Sequence, residues 1–440
     1  MKRSAAQAFL VGLGTAVVPL DSAVNIAFPA ITRGFALATT DIQWVVICYV
    51  LTYTALTLAL GRIGDIYGHA RVFRAGLLWS TVALALCALA PTYPTLLAAR
   101  FLQGIGSALI LSCGAALAIA AYGEARRSRA LGVYTTMFAA GLTLGPWVGG
   151  ALVEVWDWPA VFAFRVPIAA LALILSRWLP APAAGAREPF DFLGAVLLAA
   201  ALTAMLLTFN RIGELAAIPL GIVALAVFAA FFRHEARCKN PIIDPSVFRL
   251  PGFAILNLSN VLISLAAFSV LLLVPFYLTR ATDLPLAASG AILATGSLGM
   301  AIASSIAGRL AGRIAASRLV LAGAVLVGVG LLLIATWQRD TSAAWLVATL
   351  FLQGAGGGVF QLAYTDIVTA TIPPQHRGVA GSLAMVTRTV GTVSAAALVM
   401  LLFAQLETGS GFLPAFRESF AIAGVVPLMM AGLLALRRAK

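Results

Sequence analysis

Charge is what this sequence has least of. Only 10% of its 440 residues are charged, against about 25% in soluble globular domains, too little to clothe a water-soluble body of this size. Histidine occurs three times, at His69, His234 and His376, each in a separate polar connector, so the histidines form no catalytic constellation. The four cysteines, Cys48, Cys87, Cys113 and Cys238, have neither metal-binding nor redox spacing, and no metal or cofactor is expected. Acidic residues are also few, 16 Asp and Glu against 29 Lys and Arg. The formal charge of +13 does not point to nucleic acid. Its basic residues gather in alternate connectors, as orientation in a membrane requires, and not on one amphipathic face.

What the sequence has instead is apolar length. Hydrophobic residues make up 61% of the chain and the mean hydropathy is +1.00. Runs of about 18 to 25 residues, separated by short polar connectors, are each long enough to cross roughly 30 Å of hydrocarbon as helices. Spans are expected at roughly 8–31, 42–61, 72–91, 94–121, 129–152, 159–178, 191–209, 214–232, 252–278, 287–311, 317–337, 342–364, 379–404 and 415–436, which makes an all-α polytopic membrane protein. With the N-terminus cytoplasmic, about 21 of the Lys and Arg residues fall on the inner side, about 5 on the outer side and 3 within spans. Both termini are then cytoplasmic. Lys2 and Arg3 hold the first end inside, so the first span is expected to stay in place and not to be cleaved as a signal peptide.

The chain repeats itself. Phe101-Leu102-Gln103-Gly104-Ile105-Gly106 in the fourth span returns as Phe351-Leu352-Gln353-Gly354-Ala355-Gly356 in the twelfth. Gly61-Arg62-Ile63-Gly64 returns as Gly308-Arg309-Leu310-Ala311, and the two offsets, 250 and 247 residues, agree closely. The expected organisation is an N-terminal six-helix half (1–180), a linker carrying two extra transmembrane helices (181–250), and a C-terminal six-helix half (251–440). The linker opens with Pro180-Ala181-Pro182-Ala183-Ala184-Gly185. Duplicated halves around a midplane site are a common build for secondary transporters. A membrane enzyme or a receptor would need a catalytic cluster or a signalling domain, and the sequence offers neither.

Few residues within the spans are able to carry chemistry. Asp21 is the one acidic residue deep in a span, with Asn25 a turn later on the same face. A charge at that depth costs roughly 2.5–3.5 kcal/mol on insertion scales and is normally kept for function. Asp21 is either a proton site or a structural carboxylate satisfied by hydrogen bonds, and the first reading is preferred. Arg100 lies about one and a half turns into the fourth span, where the second half has Leu350. That asymmetry suggests a dedicated task, such as pairing with Asp21, with snorkelling to the outer interface as the alternative. Asn25, Gln103, Arg165, Gln361 and Arg388 are candidate residues of a substrate cavity, although Arg165 would serve equally as an interfacial anchor. In the fifth span, Gly141-Leu142-Thr143-Leu144-Gly145-Pro146-Trp147-Val148-Gly149-Gly150 combines glycines that let helices approach with a helix-bending proline. The stretch Gly61-Arg62-Ile63-Gly64-Asp65-Ile66-Tyr67-Gly68-His69-Ala70-Arg71 reads as a tight inner turn. Gly61 and Gly68 allow the reversal, Arg71 follows the charge bias, and Asp65 is placed to cap a helix or to pair with a basic residue in one conformation.

In their order and spacing these motifs resemble the major facilitator superfamily, and within it the 14-span drug:proton antiporters of the EmrB/QacA type. The likeness covers nearly the whole chain. It includes Leu20 to Pro29, the turn from Gly61 to Arg71, Arg100 with Gln103-Gly104-Ile105-Gly106, Gly141 to Gly150, and Pro241-Ile242-Ile243-Asp244 with Phe248-Arg249. The resemblance implies a major facilitator fold of two six-helix halves plus two central helices. It further implies Asp21 as proton carrier, Arg100 as its partner, Gly141, Gly145, Pro146, Gly149 and Gly150 as an antiporter hinge, and Gly61, Asp65, Gly68 and Arg71 as a conformational-switch loop. The implied activity is proton-coupled export of small organic compounds from the cell membrane, with a dedicated metabolite exporter as the alternative. The implied partners are the small-molecule substrate, protons and lipid; the chain is expected to be a monomer, with or without accessory efflux components. Two positions depart from the family pattern. Arg165 stands where Asn is usual, and a proline common in the tenth span is missing near Ala294 and Thr295. Three arginines (Arg100, Arg165, Arg388) against one Asp leave the interior net positive, which favours neutral or anionic cargo over dications.

Overall fold

The computed structural model describes residues 2–123, 127–179, 191–212, 215–238, 241, 250, 252–310, 313–371 and 377–438. The linker start at 180–185, residues 242–249 and His376 therefore lie outside the described residues. Described residues form helices α1 (Lys2–Ala16), α2 (Ala23–Ile26), α3 (Phe28–Gly34), α4 (Gln43–Tyr67), α5 (His69–Ala88), α6 (Tyr93–Tyr122), α7 (Arg127–Trp156), α8 (Ala160–Ala163) and α9 (Arg165–Leu175). They continue with α10 (Phe192–Asn210), α11 (Ala217–Glu235), α12 (Phe253–Arg280), α13 (Leu286–Leu310), α14 (Ala316–Ile334), α15 (Ala343–Thr371), α16 (Arg377–Ser410) and α17 (Phe412–Arg438). Thirteen of the described helices are long and apolar enough to cross a membrane, or up to fourteen if one bent pair counts as a single span. Large apolar side chains are exposed on them, such as Leu78 and Val82 on α5 and Ile218, Ile222 and Leu225 on α11, as lipid-facing helices require. The chain is a multi-pass membrane protein.

Two compact units are formed, one by 1–195 with 285–294 and the other by 196–284 with 295–440. In the first, α6 packs against α1, α4, α5 and α7. Its N-terminal end is fixed by a capping box in which Thr92 and Thr95 each satisfy the other's backbone N–H, with Pro94 in the first turn. That start point sets the depth of Arg100. In the second unit α14 packs between α15 and α17, and α12 against α16 and α17.

The sequence repeat has a packing reason. A Cβ on Gly104 would lie 2.6 Å from Cβ of Thr52 and 3.0 Å from the carbonyl of Tyr49, both on α4. A Cβ on the equivalent Gly354 would run into the carbonyl of Gly296 on α13. In each unit the glycine lets the fourth helix of the half touch the backbone of the second. Gly354→Val is expected to lower the thermal stability of the purified protein by roughly 1–3 kcal/mol, the usual cost of overpacking; an unchanged unfolding temperature would argue against this contact.

Two expected elements differ from what is found. The first span, expected as one run over 8–31, is broken: α1 stops at Ala16, a 3₁₀ turn covers Pro19–Ser22, and α2 and α3 follow as short pieces. Pro19 in the 3₁₀ turn and Pro29 in the first turn of α3 lack the N–H that a continuous ladder needs. The turn expected from Gly61 to Arg71 is almost wholly helical. α4 runs to Tyr67 and α5 begins at His69, because Gly68 at φ 93° reverses the chain by itself.

Candidate functional site

Breaking the first span places Asp21 inside the 3₁₀ turn, where its carboxylate meets three side chains from two other helices. Arg100 of α6 grips both oxygens in a fork, Nη1 donating to Oδ1 at 2.6 Å and Nη2 to Oδ2 at 2.9 Å. Arg165, the first residue of α9, donates from Nη1 to Oδ1 at 2.8 Å, and Gln103 donates from Nε2 to the same oxygen at 3.0 Å. Arg100 is anchored further by Nε donating to the Val45 carbonyl at 2.8 Å and by Nη1 donating to Gln103 Oε1 at 2.8 Å. The Cys87 thiol donates to that Oε1 at 3.7 Å. Arg165 Nε donates to the Val161 carbonyl at 3.1 Å.

The cluster is dry. The side chains of Arg100 and Arg165 are 1% and 0% exposed, and that of Asp21 13%. Two like charges at close range are tolerated because aromatic faces cover them. The Tyr49 ring lies 4.3 Å from Arg100 Cζ, and Phe162 lies 5.8 Å from Arg100 Cζ and 5.5 Å from Arg165 Cζ. One carboxylate nevertheless faces two guanidinium groups, so the site holds one positive charge in excess. Removing one partner of a buried ion pair is far costlier than replacing the whole pair, because it strands the other charge. The three residues therefore act as one unit.

Helix α7 forms the back of the site. A Cβ on Gly141 would lie 2.8 Å from Pro19 Cγ, one on Gly145 would strike the Ser22 hydroxyl, and one on Gly149 would lie 2.8 Å from the Ala23 carbonyl. This glycine face seats the broken segment backbone to backbone. Pro146 has no N–H for the Leu142 carbonyl four residues earlier, and the Ser22 hydroxyl donates to that carbonyl instead, at 3.0 Å. The break in the first span and the proline of the fifth are thus matched across the contact. Gly150 packs against Leu286 and Gly290 at the start of α13. Ser22→Ala is expected to leave that carbonyl unsatisfied and to cost roughly 1–3 kcal/mol. Thermal unfolding in detergent checks this, since a partner-less carbonyl lowers the midpoint and a silent change would leave it fixed.

Of the residues singled out from sequence, Asp21, Arg100, Gln103 and Arg165 are brought together. Arg165 is fully buried, so interfacial anchoring is excluded, as is snorkelling for Arg100. Asn25 is half-buried one turn on, and among the described residues nothing hydrogen-bonds it to the cluster. Gln361 is half-buried on α15 and Arg388 exposed on α16, both in the second unit. Arg71 is exposed, and the surroundings of Gly61 and Asp65 are not among those described. Sequence reasoning passed over a neutral cluster in the second unit. There Tyr364 donates to Asn257 Oδ1 at 2.8 Å and Asn260 Nδ2 donates to Thr387 Oγ1 at 2.8 Å. Two asparagines three residues apart in an apolar 28-residue helix were the available signal. Tyr49 and Phe162 were missed as well, because aromatic residues in a span carry no mark of what they cover.

A charged cluster buried where a membrane helix is interrupted is a feature of membrane transporters. The chain belongs to the Major Facilitator Superfamily, whose sequence pattern matches residues 7–236 and 256–440. It is a transporter. It is 28% identical over 426 residues to the riboflavin transporter RibZ of Clostridioides difficile, covering 96% of this chain and 93% of that one. It is 31% identical over 405 residues to the multidrug resistance protein Stp of Mycobacterium tuberculosis, covering 90% of this chain and 75% of that one. A bacterial homolog of the human lysosomal transporter Spinster, solved inward-facing and unoccupied, shares the fold. Its TM-score is 0.72 at 15% identity, over 99% of this chain and 96% of that one.

Proposed function

We infer that this protein is a proton-coupled antiporter of the 14-span drug:proton branch, exporting small lipophilic organic compounds across the cell membrane by alternating access. The observation that carries the reading is a carboxylate in the interrupted first span, Asp21, held by two arginines at a helix break and backed by the Gly-Pro face of α7. In the cycle, two six-helix halves (1–180 and 251–440) rock about the segment 181–250. Asp21 takes a proton on the outer side and loosens its hold on Arg100 as cargo leaves. On the inner side the proton departs and cargo enters. Gly141, Gly145, Pro146, Gly149 and Gly150 serve as the hinge, and Gly61, Asp65, Gly68 and Arg71 as the switch between conformations. Asn25, Gln103, Arg165, Gln361 and Arg388 line the cargo path. Both termini face the cytoplasm, and the working unit is the monomer.

The driving force suffices. Membrane potential supplies about 2.3 kcal/mol per charge per 100 mV, and about 1.4 kcal/mol is one decade, so one net charge per cycle sustains roughly a fifty-fold gradient. The multidrug resistance relative supports broad export. A second reading, dedicated export of one endogenous metabolite or natural product, is supported by the likeness to a riboflavin transporter. Everted vesicles assayed with a panel of neutral, anionic and cationic compounds separate the two. Broad efflux with neutral and anionic members ahead of dications fits the first reading, uptake of one member alone fits the second, and a profile dominated by bis-quaternary ammonium compounds contradicts the charge argument.

A further inference from the structure

The hydrogen bonds of the two arginines are not alike. Arg100 makes four, and its fork on Asp21 is complete. Arg165 makes two, one of them to a carboxylate oxygen that already accepts from Arg100 and Gln103. Among the described residues nothing accepts from Arg165 Nη2, although that nitrogen is fully buried. An orphaned guanidinium nitrogen in a dry site costs free energy, and here it coincides with the uncompensated positive charge of the cluster. Both deficits have one chemical remedy, a second anion presented edge-on to Nη1 and Nη2.

We propose that Arg165 is the anchor of an anion subsite that takes a carboxylate group of the cargo. This rests on the reading of the cluster as part of the cargo path. The carboxylate forms a two-pronged pair with Arg165 while Asp21 keeps its own fork on Arg100, leaving two complete pairs and no net charge. Entry is from the side of Asp21, the member of the cluster with exposed surface. Asp21 and the incoming anion draw on the same two cations, so removing the charge of Asp21 strengthens the anion's hold. Protonation of Asp21 alone would therefore retain an anionic cargo, so its release outside depends on opening of the cluster to water, which weakens the Arg165 pair more than loss of the Asp21 charge strengthens it, and each cycle moves the cargo's charge as well as the proton's.

The test is binding of benzoate and of its neutral near-isostere benzamide to the full-length protein in detergent at one fixed pH, read by thermal shift. Benzoate should stabilise the protein and benzamide should not. Arg165→Gln should remove the benzoate response, Arg165→Lys should weaken it at least tenfold in apparent affinity, and Asp21→Asn should tighten it several-fold relative to its own baseline. Equal responses to the two probes, no response to either, or a benzoate response untouched by Arg165→Lys would overturn the proposal. Arg165→Lys keeps the charge, and so keeps the test decisive if the Gln variant does not fold. No gradient is involved, so loss of proton coupling leaves this readout unchanged, and a null result here leaves proton coupling standing.

Discussion

Asp21→Asn abolishes proton-driven export in everted vesicles, lowering it to the level of vesicles without the protein, while the chain is still made and inserted. The side chain keeps its shape but loses both the exchangeable proton and the negative charge. Oδ1 of the native residue accepts from Arg100, Arg165 and Gln103 at 2.6, 2.8 and 3.0 Å; an amide in its place offers one weak acceptor to the two cations. Stranding buried charges in this way costs about 3–5 kcal/mol, so the variant should also unfold at a lower temperature. Insertion itself depends on the apolar spans and survives. Export that persisted in this variant at wild-type levels would remove Asp21 from the coupling step.

Arg100→Gln has the second largest expected effect. Three of the four hydrogen bonds of Arg100 join it to Asp21 and Gln103, and bonds to charged groups contribute roughly 1.5–3 kcal/mol each. A loss of two such bonds predicts at least a hundredfold fall in transport, with Arg100→Lys recovering little because a single ammonium cannot form the fork. The decisive comparison is the double variant. If Asp21 and Arg100 act as one unit, Asp21→Asn combined with Arg100→Gln is less destabilised than the sum of the two alone, by about 2–3 kcal/mol. Strict additivity would mean that the pair seen in the structure contributes nothing.

Much of this arrangement was legible in the sequence, and the reasons it was legible also explain what was not. Arg100 and Gln103 stand three residues apart in an apolar helix whose start is marked by Thr92, Pro94 and Thr95, so their shared face and depth follow from helical geometry. Asp21 stood out because no other acidic residue falls near the middle of an expected span. The break around it did not, since hydrophobic periodicity continues through Val17, Val18 and Leu20 and only Pro19 hints at the interruption. That break is settled by a tertiary contact, the Gly141–Gly145–Gly149 face of α7, which no local pattern encodes. Arg165 was recognisable as an oddity, yet its target depends on how α9 is rotated, and its burial against Asp21, which excludes interfacial anchoring, came only from the packed structure. In the turn after α4, composition indicated a reversal, and the backbone makes one at Gly68. The number of residues it needs, one glycine at positive φ, came only from the backbone.

The central claim is that cargo movement and proton movement are obligatorily linked through Asp21. Everted vesicles whose interior has been acidified, loaded with a pH-sensitive dye, test it directly when cargo is added outside. Wild-type protein should let protons out as cargo goes in, seen as a rise in internal pH that the Asp21→Asn variant does not produce. Cargo accumulation in wild-type vesicles without any such rise would contradict the account.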